Sequence, residues 1–232
     1  MIGILGGMGT QAGLDLCNKL AMLYRGKSDQ EYPKFILYNK SDTPKRPENL
    51  KKYYNVLNEL VRGCKLLQRN KCKFIVMPCN TAHYWYDDLK KKIKIPILSM
   101  PEEAYLYTKR NCKPDAKIGL LSTEATIKTK VYNKYFNNNF HLVHPTKTIQ
   151  KKNVNPAIKL VKQGKVKEAS KIIQPAIRYF RRIKCDRIIL GCTELPIAVF
   201  AFKSYKFSIQ SKIFIDPNLI LAEVCKNKYN SI

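Results

Sequence analysis

The chain has 232 residues, of which 45% are hydrophobic and 26% are charged, so it is long enough for one large or two small globular domains and is not a disordered chain. Its net charge of +26 would suit nucleic acid, but 34 of the 43 basic residues are Lys scattered along the chain, whereas base-specific binding favours Arg. We therefore expect no nucleic-acid partner, and we expect the basic charge to concentrate anionic substrates.

Strand-like apolar runs alternate with helical patterns along the whole chain. In the first half we predict strands near 1–5, 34–39, 72–77 and 95–98, with helices near 11–25, 48–70 and 82–93. In the second half we predict strands near 117–121, 140–143, 186–190 and 212–215, with helices near 126–136, 154–162, 166–184 and 217–229. Such alternation is typical of parallel sheets with helices on both faces.

No apolar run is long enough to span a membrane, and no basic region precedes the short apolar run at residues 1–6. We therefore expect a cytoplasmic protein with no membrane partner.

Two pairs of matching segments indicate an internal repeat. Ile2-Gly3-Ile4-Leu5 matches Ile118-Gly119-Leu120-Leu121, and residues 74–81 match residues 187–194. The offsets, 118 − 2 = 116 and 192 − 79 = 113, are nearly equal. We predict an α/β fold of two similar Rossmann-like lobes with parallel sheets, related by a pseudo-twofold axis, with the active site in the cleft between them. Residues 1–100 plus 210–232 would form the N-terminal lobe, and residues 101–209 the C-terminal lobe.

Two of the eight cysteines, Cys79 and Cys192, occupy matching places in this repeat. Each follows a strand and a Pro or Gly, and each precedes a Thr-containing turn into a helix. Ligands of parallel sheets bind at the carboxyl ends of strands, so both thiols would line one cleft if the halves face each other. A position near a helix N-terminus predicts a lowered thiol pKa. No two of the eight cysteines have C-x-x-C spacing, so we expect most of them to be buried apolar groups and none to be a zinc ligand or to form a disulfide.

A pair of facing thiols suits inversion of a stereocentre. One group removes a proton from one face of a carbon, and the other returns a proton to the opposite face. Cysteine can exchange protons near neutral pH when the site tunes its pKa.

Several segments resemble the aspartate/glutamate racemase family. Met77-Pro78-Cys79-Asn80-Thr81-Ala82-His83 and Leu190-Gly191-Cys192-Thr193-Glu194-Leu195-Pro196 resemble its signatures. Residues 3–9 and 120–126 resemble its aspartate racemase branch, and the similarity runs nearly end to end, closing with Phe214-Ile215-Asp216-Pro217. The resemblance implies a homodimer that needs neither pyridoxal phosphate nor a metal and racemises through Cys79 and Cys192.

The resemblance also implies a set of substrate-binding residues. Arg46 would bind one substrate carboxylate, since a planar guanidinium suits bidentate binding. Lys162 would bind the other carboxylate. The full set is Met8, Arg46, Asn80, Thr81, Thr123, Thr126, Lys162, Thr193 and Glu194. Its Thr and Asn members could equally cap helices. Glu194 stands where glutamate racemases have a histidine, which favours the aspartate branch.

Two further side chains are predicted to take no direct part in the reaction. Glu124 would repel an anionic substrate, so we expect it to point to solvent. His83 should cap or pack the segment after Cys79.

The most direct interpretation is conversion of L-aspartate to D-aspartate, with glutamate or both amino acids as alternatives and a non-catalytic basic binding protein as a further one. The residues leave open the preference between aspartate and glutamate, the cysteine that serves each enantiomer, and the pathway. A G-x-G-x-x-A pattern at residues 7–12 could indicate dinucleotide binding, but the second strand ends in Asn39 where an acidic residue is required.

Overall fold

The computed structural model describes residues 1–24, 26–46, 52–201 and 212–231, and the chain divides into two compact units. The first unit comprises Met1–Glu103 and Asn218–Ile232, and the second comprises Ala104–Pro217. The predicted helical residues 25 and 48–51 lie outside the described residues.

The first unit is built on a parallel sheet with strand order β2-β1-β3-β4. Its strands are β1 (Ile2–Gly6), β2 (Phe35–Asn39), β3 (Phe74–Val76) and β4 (Ile97–Leu98). Its helices are α1 (Thr10–Tyr24), α2 (Tyr53–Arg69), α3 (Tyr86–Lys92), the start of α4 (Met100–Asn111) and most of α12 (Pro217–Asn230), with 3-10 turns at Asp29–Glu31 and Thr81–Trp85.

Alternate residues of the first sheet pack on opposite faces, as the period of a strand requires. Leu5 and Ile75 join a core cluster with α2 and α3. Ile4 and Val76 join a separate cluster with α1, the start of α4 and α12. Both faces are therefore covered, which explains why these strands are continuous apolar runs.

The second unit repeats this arrangement with strand order β6-β5-β7-β8, again all parallel. Its strands are β5 (Lys117–Ser122), β6 (His141–Val143), β7 (Arg187–Gly191) and β8 (Phe214–Ile215). Its helices are α5 (Glu124–Lys128), α6 (Asn133–Phe136), α7 (Lys147–Ile149), a π-helical turn (Gln150–Val154), α8 (Asn155–Lys162), α9 (Val166–Ile172), α10 (Gln174–Arg182) and α11 (Glu194–Phe200). The identical strand order confirms the predicted repeat of two parallel α/β halves.

Three helical segments differ from the predictions, each for a local reason. Helix α4 was not predicted, although Ser99 marks its start by accepting a hydrogen bond from the Glu102 N–H at 3.3 Å. The predicted helix 126–136 is broken by Lys130, whose φ of 53° lies in the left-handed region. The predicted helix 166–184 divides before Pro175, which has no N–H to continue the ladder.

The last strand differs from the expected lobe boundary. We placed residues 210–232 with the N-terminal lobe, but Phe214 and Ile215 pair with Ile188 and Ile189 of β7 in the second sheet. Strand β8 therefore belongs to the second unit, because its parallel partner is β7. The chain returns to the first unit in helix α12. Among the residues described, no helix combines the length and the apolar character needed to cross a membrane.

Gly7 sets how closely the turn after β1 approaches the chain that follows β2. Its φ is 84°, and a Cβ there would collide with the backbone of Lys40. A substitution must therefore both strain the backbone and push two segments apart.

We predict that Gly7→Ala lowers the free energy of unfolding, measured by urea denaturation, by more than about 2 kcal/mol. Gly164→Ala is the matched control, because Gly164 has a φ of 77° but no atom of the described residues lies within 4 Å of an added Cβ. The free energy of unfolding of Gly164→Ala should fall by only about 1 kcal/mol, which is the strain of a residue with a Cβ in the left-handed region. Equal losses in the two variants would contradict the close approach at Gly7.

Candidate active site

The carboxyl ends of β1, β2 and β3 bring the expected residues of the first unit to one edge of its sheet. Met8 follows β1, the loop with Arg46 follows β2, and Cys79 follows β3. All three residues are buried, with Met8 and Arg46 joined by a hydrogen bond. This edge is where parallel sheets bind ligands.

The Arg46 guanidinium is held by backbone carbonyls. Nη1 donates to the carbonyl oxygens of Thr43 (3.2 Å) and Pro44 (3.0 Å), and Nη2 donates to that of Met8 (2.6 Å). Of its five N–H donors, two have no partner among the described residues. The arrangement fixes the guanidinium plane and leaves donors for an anion, whereas the Met8 contribution is its backbone carbonyl.

A buried lysine supports this loop. Lys40 Nζ contacts Glu59 at 2.7 Å and both carboxylate oxygens of Asp42, at 2.9 and 2.8 Å. Burial opposes the charge on Lys40, but these hydrogen bonds and charges outweigh it and raise its pKa. The ion pairs join α2 to the segment that carries Thr43 and Arg46, a role that the sequence did not indicate.

Cys79 lies in a tight turn after β3 that a histidine stabilises. Its carbonyl accepts from the Ala82 N–H at 3.2 Å and from His83 Nδ1 at 2.9 Å. The Met100 N–H donates to His83 Nε2 at 3.0 Å, so Nε2 is an acceptor and Nδ1 carries the proton. The buried ring therefore joins the Cys79 turn to the start of α4, which confirms a packing role for His83.

Asn80 and Thr81 follow Cys79 and are also buried, at 3% and 6% exposure. Asn80 stands at the start of the 3-10 turn but makes no capping hydrogen bond with its side chain. Its predicted alternative role as an N-cap is therefore wrong.

In the second unit, Thr123 and Thr126 form the turn that follows β5. Thr123 Oγ1 accepts from the Thr126 N–H at 3.1 Å, and the two hydroxyl oxygens are 3.0 Å apart. Thr123 is thus an N-cap of α5, one of the two roles expected for it. Glu124 is exposed and accepts a hydrogen bond from Asn155, so the expectation that it points to solvent is confirmed.

Cys192 follows β7 and donates its S–H to a buried carboxylate. Glu194 Oε2 lies 2.9 Å from Cys192 Sγ and 3.4 Å from Thr193 Oγ1. Glu194 Oε1 pairs with Lys162 Nζ at 3.6 Å. The glutamate is 3% exposed, whereas half of the Lys162 side chain is exposed.

Lys162 owes its position to the end of α8. The N–H groups of Gly164 and Lys165 donate to the carbonyls of Val161 and Leu160, which closes the helix in a Schellman motif. Lys162 is the last helical residue, so the motif fixes the backbone from which its side chain extends.

The predicted lowering of the Cys192 pKa is wrong. Burial raises its pKa well above the ordinary value, and the charge and hydrogen bond of Glu194 raise it further, against an opposing effect of Lys162. Cys192 is therefore a thiol, since the dipole of the seven-residue helix α11 is too weak to overcome burial beside a carboxylate.

Each unit thus gathers its own share of the expected residues. Met8, Arg46, Cys79, Asn80 and Thr81 belong to the first unit, and Thr123, Thr126, Lys162, Cys192, Thr193 and Glu194 belong to the second. The sequence did not indicate the Lys40 ion pairs or the bridging contacts of His83. A lysine directly after an apolar strand and a histidine four residues after Cys79 were the available signals.

Comparisons with known proteins identify the family of this chain. The profile of the family described as Asp/Glu/Hydantoin racemase matches residues 5–225. The broad specificity amino-acid racemase RacX of Bacillus subtilis is 28% identical over 238 residues, covering 99% of this chain and 98% of that protein. A glutamate racemase of Staphylococcus carnosus is 26% identical, covering 72% of this chain and 63% of its own length.

Similar solved structures are also racemases or their homologues. The Picrophilus torridus aspartate racemase has a TM-score of 0.83 and 29% identity, covering 99% of this chain and 94% of that one. An aspartate racemase homologue from Pyrococcus horikoshii, 22% identical with a TM-score of 0.78, shares the fold. The chain therefore belongs to the Asp/Glu/hydantoin racemase family. Within this family of isomerases, the chain is aspartate racemase-like.

The burial of His83 predicts a pH-dependent stability. Burial lowers its pKa from 6.5 to about 4, because desolvation of the charged ring outweighs the backbone hydrogen bonds that favour it. Between these values the unfolded chain binds a proton that the folded chain does not. The contribution of neutral His83 to the free energy of unfolding is therefore complete above pH 6.5. About 3 kcal/mol of it is lost as the pH falls towards 4.

We expect His83→Gln to remove this part of the pH dependence when unfolding free energies are measured by urea denaturation at pH 7 and pH 4.5. His141→Gln is the control, because His141 is exposed. A His83→Gln protein that keeps the pH dependence of the unsubstituted chain would contradict the buried neutral histidine.

The contact between Glu194 and Cys192 predicts a change in thiol reactivity. Glu194→Gln removes the carboxylate charge, so the Cys192 pKa should fall and its alkylation at pH 8 should become faster. The rate is measured by iodoacetamide labelling and mass spectrometry of the peptide containing Cys192. Glu124→Gln, an exposed glutamate of the same unit, should leave the rate unchanged. Equal rates in all three proteins would show that Glu194 does not control this thiol.

Proposed function

We propose that this protein racemises an acidic amino acid, and aspartate in particular, by proton transfer through Cys79 and Cys192 without pyridoxal phosphate or a metal. The observation that carries the proposal is the matched placement of the two thiols. Each follows the carboxyl end of a central strand, β3 or β7, and each is 7% exposed. Membership of a racemase family supports inversion as the reaction.

The remaining donors of Arg46 suit a substrate carboxylate, since its guanidinium is already oriented by three backbone carbonyls. Lys162 suits the second carboxylate, because half of its side chain is exposed and its contact with Glu194, at 3.6 Å, is long. Thr123, Thr126 and Thr193 offer hydroxyl groups. A dicarboxylic amino acid would use both cations, which favours an acidic substrate over a neutral one.

In one direction, the Cys79 thiolate takes the α-proton and the Cys192 S–H delivers a proton to the opposite face of the carbanion. Cys79 then ends as a thiol and Cys192 as a thiolate, so the reverse reaction uses the same groups in exchanged roles. For the enantiomer whose α-proton is removed by Cys192, the Cys192 thiol must first lose its own proton. Glu194, 2.9 Å from Sγ, is placed to accept that proton.

The contacts of Glu194 favour action through Cys192 over direct substrate binding. A buried carboxylate at this point would repel an anionic substrate unless Lys162 compensates for its charge. Pairing with Lys162 provides that compensation and keeps Glu194 against the thiol.

Aspartate is favoured by similarity to the Picrophilus torridus enzyme, at 29% identity over nearly the whole chain. The similar coverage of RacX, at 28% identity, supports a second candidate, a racemase that accepts several amino acids. A homodimer stays a prediction from the family resemblance, and a cytoplasmic location stays a prediction from the sequence pattern. Light scattering on the purified protein measures the first directly.

The test is exchange of the α-proton. Purified protein is incubated with L-aspartate in D2O without added cofactor, and the α-proton signal is followed by NMR alongside circular dichroism. We expect deuterium incorporation with loss of optical activity. L-glutamate and L-alanine run in parallel to separate an aspartate enzyme from a broad-specificity one.

Cys79→Ser and Cys192→Ser should each reduce racemisation by at least about 10²-fold, because serine is a far weaker acid than cysteine. Cys72→Ser and Cys185→Ser are the matched controls, since both residues are buried cysteines, one in each unit, away from the motifs. Retained racemisation in either catalytic variant would overturn the two-thiol mechanism. No exchange on any of the three amino acids would favour a binding protein.

A further inference from the structure

The buried lysine behind the Arg46 loop, Lys40, is tied to helix α2 in two ways. Its Nζ contacts a carboxylate oxygen of Glu59, in α2, at 2.7 Å. Gly63 lies one turn further along the same helix, and a Cβ added there would be 3.4 Å from Lys40 Cδ. The stem of the lysine therefore packs against α2 while its ammonium group pairs with a carboxylate of that helix.

The two carboxylates that contact Lys40 differ in burial. The Asp42 side chain is 72% exposed, whereas that of Glu59 is 19% exposed. An ion pair with an exposed group contributes little, because water and salt screen it. A buried ammonium group has also lost its hydration, so it depends on a partner that is itself shielded from water. Glu59 is therefore the partner that fixes the position of Lys40.

Backbone hydrogen bonds connect this anchored lysine to Arg46. The Lys40 carbonyl accepts hydrogen bonds from the N–H and the hydroxyl of Thr43, at 3.3 and 2.9 Å. The Thr43 carbonyl in turn accepts one from Arg46 Nη1 at 3.2 Å. The direction of the guanidinium therefore depends on where the backbone of Lys40 is held, with Thr43 as the link.

We propose that Lys40, anchored by Glu59, is a positioning residue that orients Arg46 for a substrate carboxylate. The inference rests on the proposed function, since it takes Arg46 as the residue that binds the substrate. Bidentate binding requires the guanidinium and the carboxylate to lie in one plane, so a rotated guanidinium binds the substrate more weakly. Lys40 does not touch the substrate in this role and acts through Thr43.

Lys40→Met removes the charge but keeps much of the apolar stem. We expect the KM for L-aspartate to rise at least about tenfold while kcat stays within about threefold, because Arg46 would bind the carboxylate equally in the ground state and the transition state. Lys19→Met is the matched control, since Lys19 is a similarly buried lysine of the same unit that pairs with Asp15 within α1. The control should leave KM within about twofold.

A double variant separates the positioning of Arg46 from the stability of the fold. Removing Lys40 alone leaves the Glu59 carboxylate with Arg62, an exposed side chain. Lys40→Met/Glu59→Gln removes both charges, and the removal of both partners of a buried ion pair often restores stability. We expect the double variant to regain the free energy of unfolding that Lys40→Met loses, measured by urea denaturation, but to keep the raised KM.

The order of the Arg46 side chain is measured without catalysis. The chain has nine arginines, so protein labelled with ¹⁵N in arginine gives few Nε signals, and Arg46→Lys assigns that of Arg46. The heteronuclear NOE of this signal reports picosecond-to-nanosecond motion of the side chain. We expect Arg46 to be ordered in the unsubstituted chain and in Lys19→Met. In Lys40→Met its NOE should fall towards that of Arg69, which is exposed.

Three results would overturn the proposal. One is an Arg46 NOE that Lys40→Met leaves unchanged, and another is an equal rise of KM in Lys40→Met and Lys19→Met. The third is a double variant that regains the KM of the unsubstituted chain together with its stability, which would show that an unpaired carboxylate, and not the lost ion pair, disturbed Arg46. If no amino acid undergoes exchange, the proposed function fails, and the NOE comparison still decides whether Lys40 orients Arg46.

Discussion

Parallel pairing of the central strands is the constraint on which the rest of this structure depends. In the first unit β1 lies between β2 and β3, and in the second β5 lies between β6 and β7. Because the strands of each sheet run in one direction, the segments that follow them emerge at one edge. Arg46 and Cys79, separated by 33 positions in the sequence (79 − 46), therefore belong to the same edge of one sheet. The same pairing places Thr123 and Cys192 at one edge of the other sheet.

At these edges, charged and polar side chains are buried and held mainly by fixed partners. Three carbonyls orient Arg46, two carboxylates hold Lys40, and His83 joins the Cys79 turn to α4. A buried group without such partners would be costly, so each contact both satisfies a polar atom and fixes its direction. Arg46 reaches the edge already oriented, which is what binding a planar carboxylate requires.

The two cysteines occupy matching places but have different surroundings. Cys192 has a carboxylate 2.9 Å from its sulfur and a raised pKa, whereas the turn of Cys79 is held through its backbone carbonyl by His83. A repeat therefore produced equivalent positions without equivalent chemistry. In the proposed racemisation, this asymmetry means that the route by which each thiol gains or loses its proton differs.

The sequence by itself determined the alternation of strands and helices, the repeat of two parallel halves and the racemase family, because apolar periodicity and short motifs are local signals. It did not determine the lobe of the strand at Phe214–Ile215, since that depends on which sheet offers a free edge. Nor did it determine the raised pKa of Cys192, which arises from burial beside Glu194, two residues away. Only tertiary structure decides burial and contacts between side chains, and these decide the protonation of a thiol.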